Sequence, residues 1–320
     1  MALLRPNALV SIAGRSLSLA AGAIASVRVS LGLQPAHDGV SLQCWPGSKF
    51  AAAAPGDALS VKLGAQGSET LVLTGEVLAV HQRPAGLGLD GVSATIALSR
   101  LYKTASHVNP SVADVVRDLV GGAAVDRIDA PLQLGAWHAE NRLCVWQQLQ
   151  ALARLAGADL GSAADGGLRF VSPRPQGAPQ RLRYGAQLLH WDLARSASPT
   201  ASTAPAAAPH GAGSEAGSAR WHWLSHDPVG AGADPARAPG ALANRDAAQA
   251  VGQALGQRAT RQGRAGRLLI VGDASLRPGA VVQLADLPGA DPGALRVLAV
   301  QHRLDHSSGF LTRLTVEGAG

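Results

Sequence analysis

Two histidines four residues apart, His222 and His226, have the i, i+4 spacing that lets a helix offer two imidazoles to one metal ion. Their neighbours deny them that helix. Trp221-His222-Trp223-Leu224 reads as strand and Asp227-Pro228 as turn, so packed or solvated histidines are expected. General acid–base chemistry needs paired carboxylates, and the glutamates Glu69, Glu76, Glu140, Glu215 and Glu317 fall in no recognisable hydrolase frame. Asp114 and Asp118 occupy polar positions on an amphipathic helix. No GxSxG elbow offers an activated serine, no GxxxxGK[ST] loop offers a phosphate cradle, and no GxGxxG opens a helix after a strand. Trp221 and Trp223 share a strand face that could stack on sugars, although burial suits them better. Cys44 and Cys144 lie far apart without CxxC or Cys/His spacing, as expected of buried thiols in a reducing compartment. The expectation is a chain with no catalytic residue, no cofactor and no metal.

Composition narrows the classes further. At 320 residues the chain has room for two or three domains, and 47% hydrophobic residues exclude wholesale disorder. Aromatics are only 3%, so cores of many small Ala, Val and Leu contacts are expected, which suits small barrels. The net charge of +6 is carried by arginine, with Lys49, Lys62 and Lys103 the only lysines. These basic residues are spread along the chain, so no specific nucleic-acid site is expected. No apolar run approaches the ~20 residues that span a bilayer, so no stable membrane insertion is expected. Leu17 to Val27 imitates a signal peptide, but Val27-Arg28-Val29-Ser30-Leu31 continues it with strand alternation.

The elements that must hold any site contain a repeat. Val77-Leu78-Ala79-Val80-His81-Gln82-Arg83 recurs as Val297-Leu298-Ala299-Val300-Gln301-His302-Arg303. Each copy follows a Pro-Gly turn, Pro55-Gly56 in the first and Pro278-Gly279 in the second. A closing strand is expected after each, Val92 to Leu98 and Phe310 to Val316. Self-similarity of this kind reports architecture before chemistry. Arg83 and Arg303 occupy equivalent places and are the candidate interface residues, with ordinary surface arginine as the alternative; His81 and His302 are expected on the surface at strand ends.

Around the repeat, residues 1–103 read as short strands, including Glu69 to Leu73, Glu76 to His81 and Val92 to Leu101, and suggest a first small barrel or sandwich. Residues 104–178 change period. Asn109-Pro110 caps a helix bearing Val112, Val115, Val116, Leu119 and Val120, and Gly121-Gly122 ends it. A second helix follows Asn141, with Leu143, Trp146, Leu149, Ala153 and Ala156 on one side and Gly157 as its stop. Asp165-Gly166-Gly167 turns into the strand Leu168 to Val171, completing a small α+β domain. Residues 179–320 return to β pattern as a second, discontinuous barrel. A mobile loop at 196–219, a strand at Arg220 to Leu224 and a helix at about 243–260 interrupt it. The fold class expected is α+β, mainly β, with two similar small barrels flanking the α+β domain.

This order of parts resembles the baseplate hub family of contractile tails: the phage late control gene D protein, the T4-type hub and the N-terminal hub part of VgrG. Ser111 to Leu119, Asn141 to Ala153, Asp165-Gly166-Gly167-Leu168-Arg169-Phe170, Leu276-Arg277-Pro278-Gly279, Val300-Gln301-His302 and Gly309-Phe310-Leu311-Thr312 carry the likeness. It extends over nearly the whole chain outside 196–240, with one extra residue between Asp165 and Leu168-Arg169-Phe170. No spike domain follows residue 320, so the likeness implies that a separate protein pierces. It also implies a homotrimeric, non-enzymatic adaptor between a hexameric tail-tube protein and a trimeric spike, in contact with other baseplate proteins. Its place would be a virion or phage-tail-like particle assembled in the bacterial cytoplasm. The rival readings are a tail-associated peptidoglycan hydrolase and a carbohydrate-binding module on a similar β-scaffold.

Overall fold

The computed structural model describes residues 5–33, 36–173, 176–196, 245–289 and 292–319. The expected loop and strand that contain Trp221, His222, Trp223 and His226 lie outside the described residues.

The chain opens with strands β1 (Pro6–Ile12), β2 (Arg15–Ser18), β3 (Ile24–Gly32), β4 (Gly39–Cys44), β5 (Ala58–Ala65), β6 (Ser68–Arg83) and β7 (Gly86–Ser93). Period-two patterning makes them: Val27, Val29 and Leu31 of β3 are buried while Arg28 and Ser30 are exposed. A small unit follows, with α1 (Ala97–Arg100), β8 (Ala105–Val108), α2 (Val112–Val120), β9 (Val125–Asp129), β10 (Ala136–Ala139), α3 (Val145–Ala156), β11 (Asp159–Ser162) and β12 (Leu168–Val171). The last part holds β13 (Gln176–Arg183), β14 (Leu188–Arg195), α4 (Arg245–Gln262), β15 (Arg264–Val271), β16 (Ala280–Ala285), β17 (Ala294–Asp305) and β18 (Gly309–Gly318). The fold is α+β and mainly β.

Strands β3 to β7 pair in the order β3-β4-β7-β6-β5, and β14 to β18 pair in the order β14-β15-β18-β17-β16, which is the same path. The likeness reaches single residues. Register slips between Val77 and Ala79 in β6 and between Val297 and Ala299 in β17, leaving Leu78 and Leu298 as equivalent bulges. It slips again between Ile24 and Ser26 in β3 and between Leu188 and His190 in β14. Gly56 and Gly279 both have φ of 93°, and each donates its N–H to the carbonyl of the repeat valine, Val77 or Val297, at 2.8 Å. That left-handed conformation is open to glycine at little cost, which is why both turns are Pro-Gly.

The two β units form one 13-stranded sheet because β17 pairs antiparallel with β3, from Ala299 opposite Gly32 to Asp305 opposite Ser26. One hydrophobic cluster, including Val29, Leu42, Val61, Val77, Val297 and Val300, runs through both units. The small unit packs a second core around Val115, Leu119, Leu149 and Phe170.

Several expected boundaries move. Glu69 to Leu73 and Glu76 to His81 are one strand, β6, because Gly75 is not a break. A Cβ there would meet the Val92 carbonyl oxygen at 1.8 Å, so the glycine permits a close strand approach. The expected strand Val92 to Leu101 ends at Ser93 and turns helical, with the Ser93 hydroxyl bonded to that of Thr95 at 2.7 Å. Helix α2 is capped by Ser111, whose hydroxyl accepts the Asp114 N–H at 3.1 Å, while Asn109 stands outside the helix at φ 50°. Gln147 reaches back to the Cys144 N–H at 3.2 Å and starts α3 at Val145, which leaves Leu143 exposed. Helix α4 turns Val251 and Leu255 onto the core of the small unit.

The seam between the units is therefore a core feature. Val29→Ala, which removes a fully buried side chain there, is expected to lower the unfolding free energy by about 2–3 kcal/mol. Val80→Ala, half-buried at the place equivalent to Val300, is expected to cost under about 1 kcal/mol in the isolated chain. Urea midpoints of the two variants check the difference.

Candidate functional site

The repeated strands bring Arg83 and Arg303 to the same exposed face of the sheet. Both line a groove of about 290 Å³ with Arg28, Ser41, Gln43, His81 and Asp90. His81 faces Asp90 at 3.1 Å, and Arg303 is held by Asp305 at 2.8 Å. The Arg83 side chain has no ion-pair or hydrogen-bond partner among the described residues. Pro55, Gly56, Val77 and Val80 stand at places equivalent to Pro278, Gly279, Val297 and Val300, and so serve the scaffold and not a pocket.

His302 departs from the expected surface role. It is fully buried, with Nδ1 2.9 Å from the Thr312 hydroxyl. Burial, reinforced by nearby Arg277, lowers its pKa from 6.5 to about 4. Gln82, its counterpart in β6, is exposed.

Buried charges fasten the small unit to the sheet, and sequence reasoning did not single them out. Arg296 of β17 donates to Glu317 of β18 at 3.0 Å and to Asp159 of β11, while Arg261 of α4 donates to Glu317 at 3.2 Å. Burial pushes the Asp159 carboxyl up, and the two arginines pull against that shift. Asp38 accepts the Gly32 N–H at 2.8 Å and the Ser162 hydroxyl of β11. Its carboxyl too is raised by burial. Arg277, just before the second Pro-Gly turn, reaches across to the Val72 carbonyl of β6 at 3.1 Å. Arg296 and Glu317, charged residues among apolar neighbours on their strands, were the signal the sequence offered for this cluster.

One serine–histidine contact occurs near the seam. His37 Nε2 lies 2.6 Å from the Ser99 hydroxyl, but Nδ1 faces the Thr95 hydroxyl at 2.9 Å and not a carboxylate. The ring packs on Trp146 at 4.1 Å, and burial lowers its pKa to about 4. The contact ties the segment before β4 to α1 and α3. Among the described residues, no cluster of three or more His, Cys, Asp or Glu is arranged to hold a metal ion, and no helix is long and apolar enough to cross a membrane.

What remains open is backbone. In β6 the outer edge pairs with β5 as far as Glu76; beyond it, residues 79–83 pair only with β7. The outer edge of β14 has no partner strand among the described residues.

The fold is shared with proteins of known structure. A 43 kDa tail protein of prophage MuSo2 from Shewanella oneidensis superposes with a TM-score of 0.69 at 13% identity, over 98% of both chains. A tail protein from Neisseria meningitidis gives 0.71 at 14% identity, over 98% of this chain and 96% of that one. An Escherichia coli component of the type VI secretion system, which has structural similarity to the bacteriophage T4 tail proteins gp27 and gp5, gives 0.57 at 10% identity, over 92% of this chain and 73% of that one. No protein-family model matches the chain, and no curated protein matches it. The chain thus has the fold of phage tail and related secretion-system proteins.

Two expectations follow from the buried charges. Arg296→Ala takes from buried Asp159 its ion-pair partner and leaves Glu317 with Arg261 alone, and should lower stability by about 3–5 kcal/mol in denaturant titrations. The His302 pKa is depressed on folding, so its stabilisation is complete above pH 6.5 and is lost as pH falls toward about 4, because the unfolded chain binds the proton first. That loss is worth about 3 kcal/mol. His302→Gln should flatten the fall in melting temperature between pH 6.5 and 4.

Proposed function

We propose that this chain is the structural hub of a contractile phage tail or of a phage-tail-like injection particle. In this reading three copies form a ring that joins a hexameric tail tube to a trimeric spike. The observation that carries it is the pair of β units in one chain with the same strand order, the same two bulges and the same Pro-Gly turn. Three such chains offer six similar surfaces to a six-fold partner while keeping true three-fold symmetry for a spike. The fold shared with two tail proteins across nearly their entire length supports it.

The mechanism is geometric. Force reaching the ring from the tube passes through paired strands and buried ion pairs, not through a reactive pocket. No catalysis, cofactor, membrane insertion or sequence-specific nucleic-acid binding is assigned to the chain. Its place is the baseplate of a virion or tail-like particle, assembled in the bacterial cytoplasm beside other baseplate proteins.

Native mass measurement tests the reading. The purified protein alone should weigh three times the 32.5 kDa of the chain, and complexes with its tube and spike partners should contain three copies of it. A strict monomer at high concentration and with partners present would overturn it. Peptidoglycan zymography should give no clearing, and clearing would favour the hydrolase instead.

A further inference from the structure

The seam inside the chain specifies a second seam between chains. At the internal one, the distal half of β17 pairs with β3: Val300 faces Leu31, Gln301 faces Ser30, His302 faces Val29 and Arg303 faces Arg28. The equivalent strands of the opposite units are β6 and β14, and both have an unpaired edge among the described residues. The shared bulges fix how residues correspond. Val77 and Val297 precede the β6 and β17 bulges, so Arg303 corresponds to Arg83. Ile24 and Leu188 precede the β3 and β14 bulges, so Arg28 corresponds to Asp192.

We propose that the distal edge of β6 pairs antiparallel with β14 of a second copy of this chain, with Arg83 opposite Asp192. Carried over residue by residue, the register sets Val80 opposite Arg195, His81 opposite Ala194, Gln82 opposite Leu193 and Arg83 opposite Asp192. This deepens the ring reading above, and rests on it for the number of subunits but not for the edges.

Three observations support the pairing. Exposure falls where the internal seam predicts cover: Val27, Val29 and Val300 are buried, whereas their counterparts Trp191, Leu193 and Val80 are only half-buried. Charge is rearranged in the required sense. In the internal seam Arg303 faces Arg28, and Asp305, two residues on, neutralises Arg303. The counterpart of Asp305 is Ala85, so Arg83 lacks the acid two residues on, and an acid appears instead as Asp192 at the opposing position. Neither Arg83 nor Asp192 has a charged partner among the described residues. Finally, β3 has both edges occupied, by β17 and β4, so of the two equivalent strands β14 is the one with an edge left for β6 among the described residues. The contact is head-to-tail, each copy using one edge as donor and the other as acceptor, and it closes on itself as a ring.

Cysteine pairs and charge reversals test this in the full chain. Successive opposite positions alternate between hydrogen-bonded and closer, non-hydrogen-bonded pairs, so two adjacent pairs cover both cases. Under mild oxidation, His81→Cys with Ala194→Cys or Gln82→Cys with Leu193→Cys should give intermolecular disulfides on non-reducing gels. His81→Cys with Leu193→Cys, which sets the thiols on opposite faces, should not. Arg83→Asp and Asp192→Arg should each weaken self-association by about tenfold, and the double variant should restore it. Both sites are exposed, so melting temperatures should stay unchanged. Assembled rings without register-specific crosslinks or charge rescue would overturn the edge pairing and leave the hub reading intact. Crosslinks at the stated register in filaments or in rings of another size would uphold the edge and overturn the three-subunit reading. A monomer that forms neither would overturn both.

Discussion

A β-strand has two sides, and a row of amides left bare on either is a standing invitation to another strand. The disposition of the second side of β17 governs this molecule. Its first residues, Ala294 to Arg296, give that side to β16; its last, Ala299 to Asp305, give it to β3. The bulge at Leu298 falls between the two stretches, where extra twist lets one strand serve two neighbours in different directions. Without that division the chain would hold two separate β units. With it, the units share one sheet and one core.

The two copies have diverged where their surroundings differ. Position 296 carries a buried arginine that reaches the small unit, while its counterpart Glu76 forms a more exposed pair with Arg100 at 2.5 Å. Position 302 is a histidine sealed under the seam, and Gln82 is its exposed counterpart. Both valines before the bulges, Val77 and Val297, remain buried, and each keeps its bond from the glycine of a Pro-Gly turn. Local geometry is retained where it shapes the strand, and side-chain chemistry follows whatever each strand faces.

How much could be read from the sequence follows the same division. The seven-residue echo was visible because it spans the bulge, whose geometry restricts both copies alike. The equivalence of β3 and β14 was invisible: Val27-Arg28-Val29 and Trp191-Asp192-Leu193 share a strand period and little else. Pairing between β17 and β3 joins residues some 270 positions apart, and no local pattern specifies it. His302 was legible in principle, since Val300, His302 and Leu304 alternate as one buried face. Helix α4 was readable as a helix, but its apolar positions Val251 and Leu255 do not say which core they enter. The candidate arginines were found from the repeat alone. Asp192 emerged only from strand register.

The buried ion pairs complete the account of how the parts hold their orientation. Two arginines and two carboxylates, Arg261, Arg296, Asp159 and Glu317, cost desolvation that well-packed hydrophobic residues would avoid, so added stability is a poor reason for them. Direction is a better one. A planar guanidinium fixes angle as well as distance, and Arg296 uses its two terminal nitrogens on different elements, β18 and β11. It does so from β17, one residue before the repeat valine and three before the strand enters the seam. One strand therefore touches both β units through its edges and the small unit through a single side chain. Rotation of the small unit acts on β17 ahead of its bulge, and through β17 on the seam that joins the sheet.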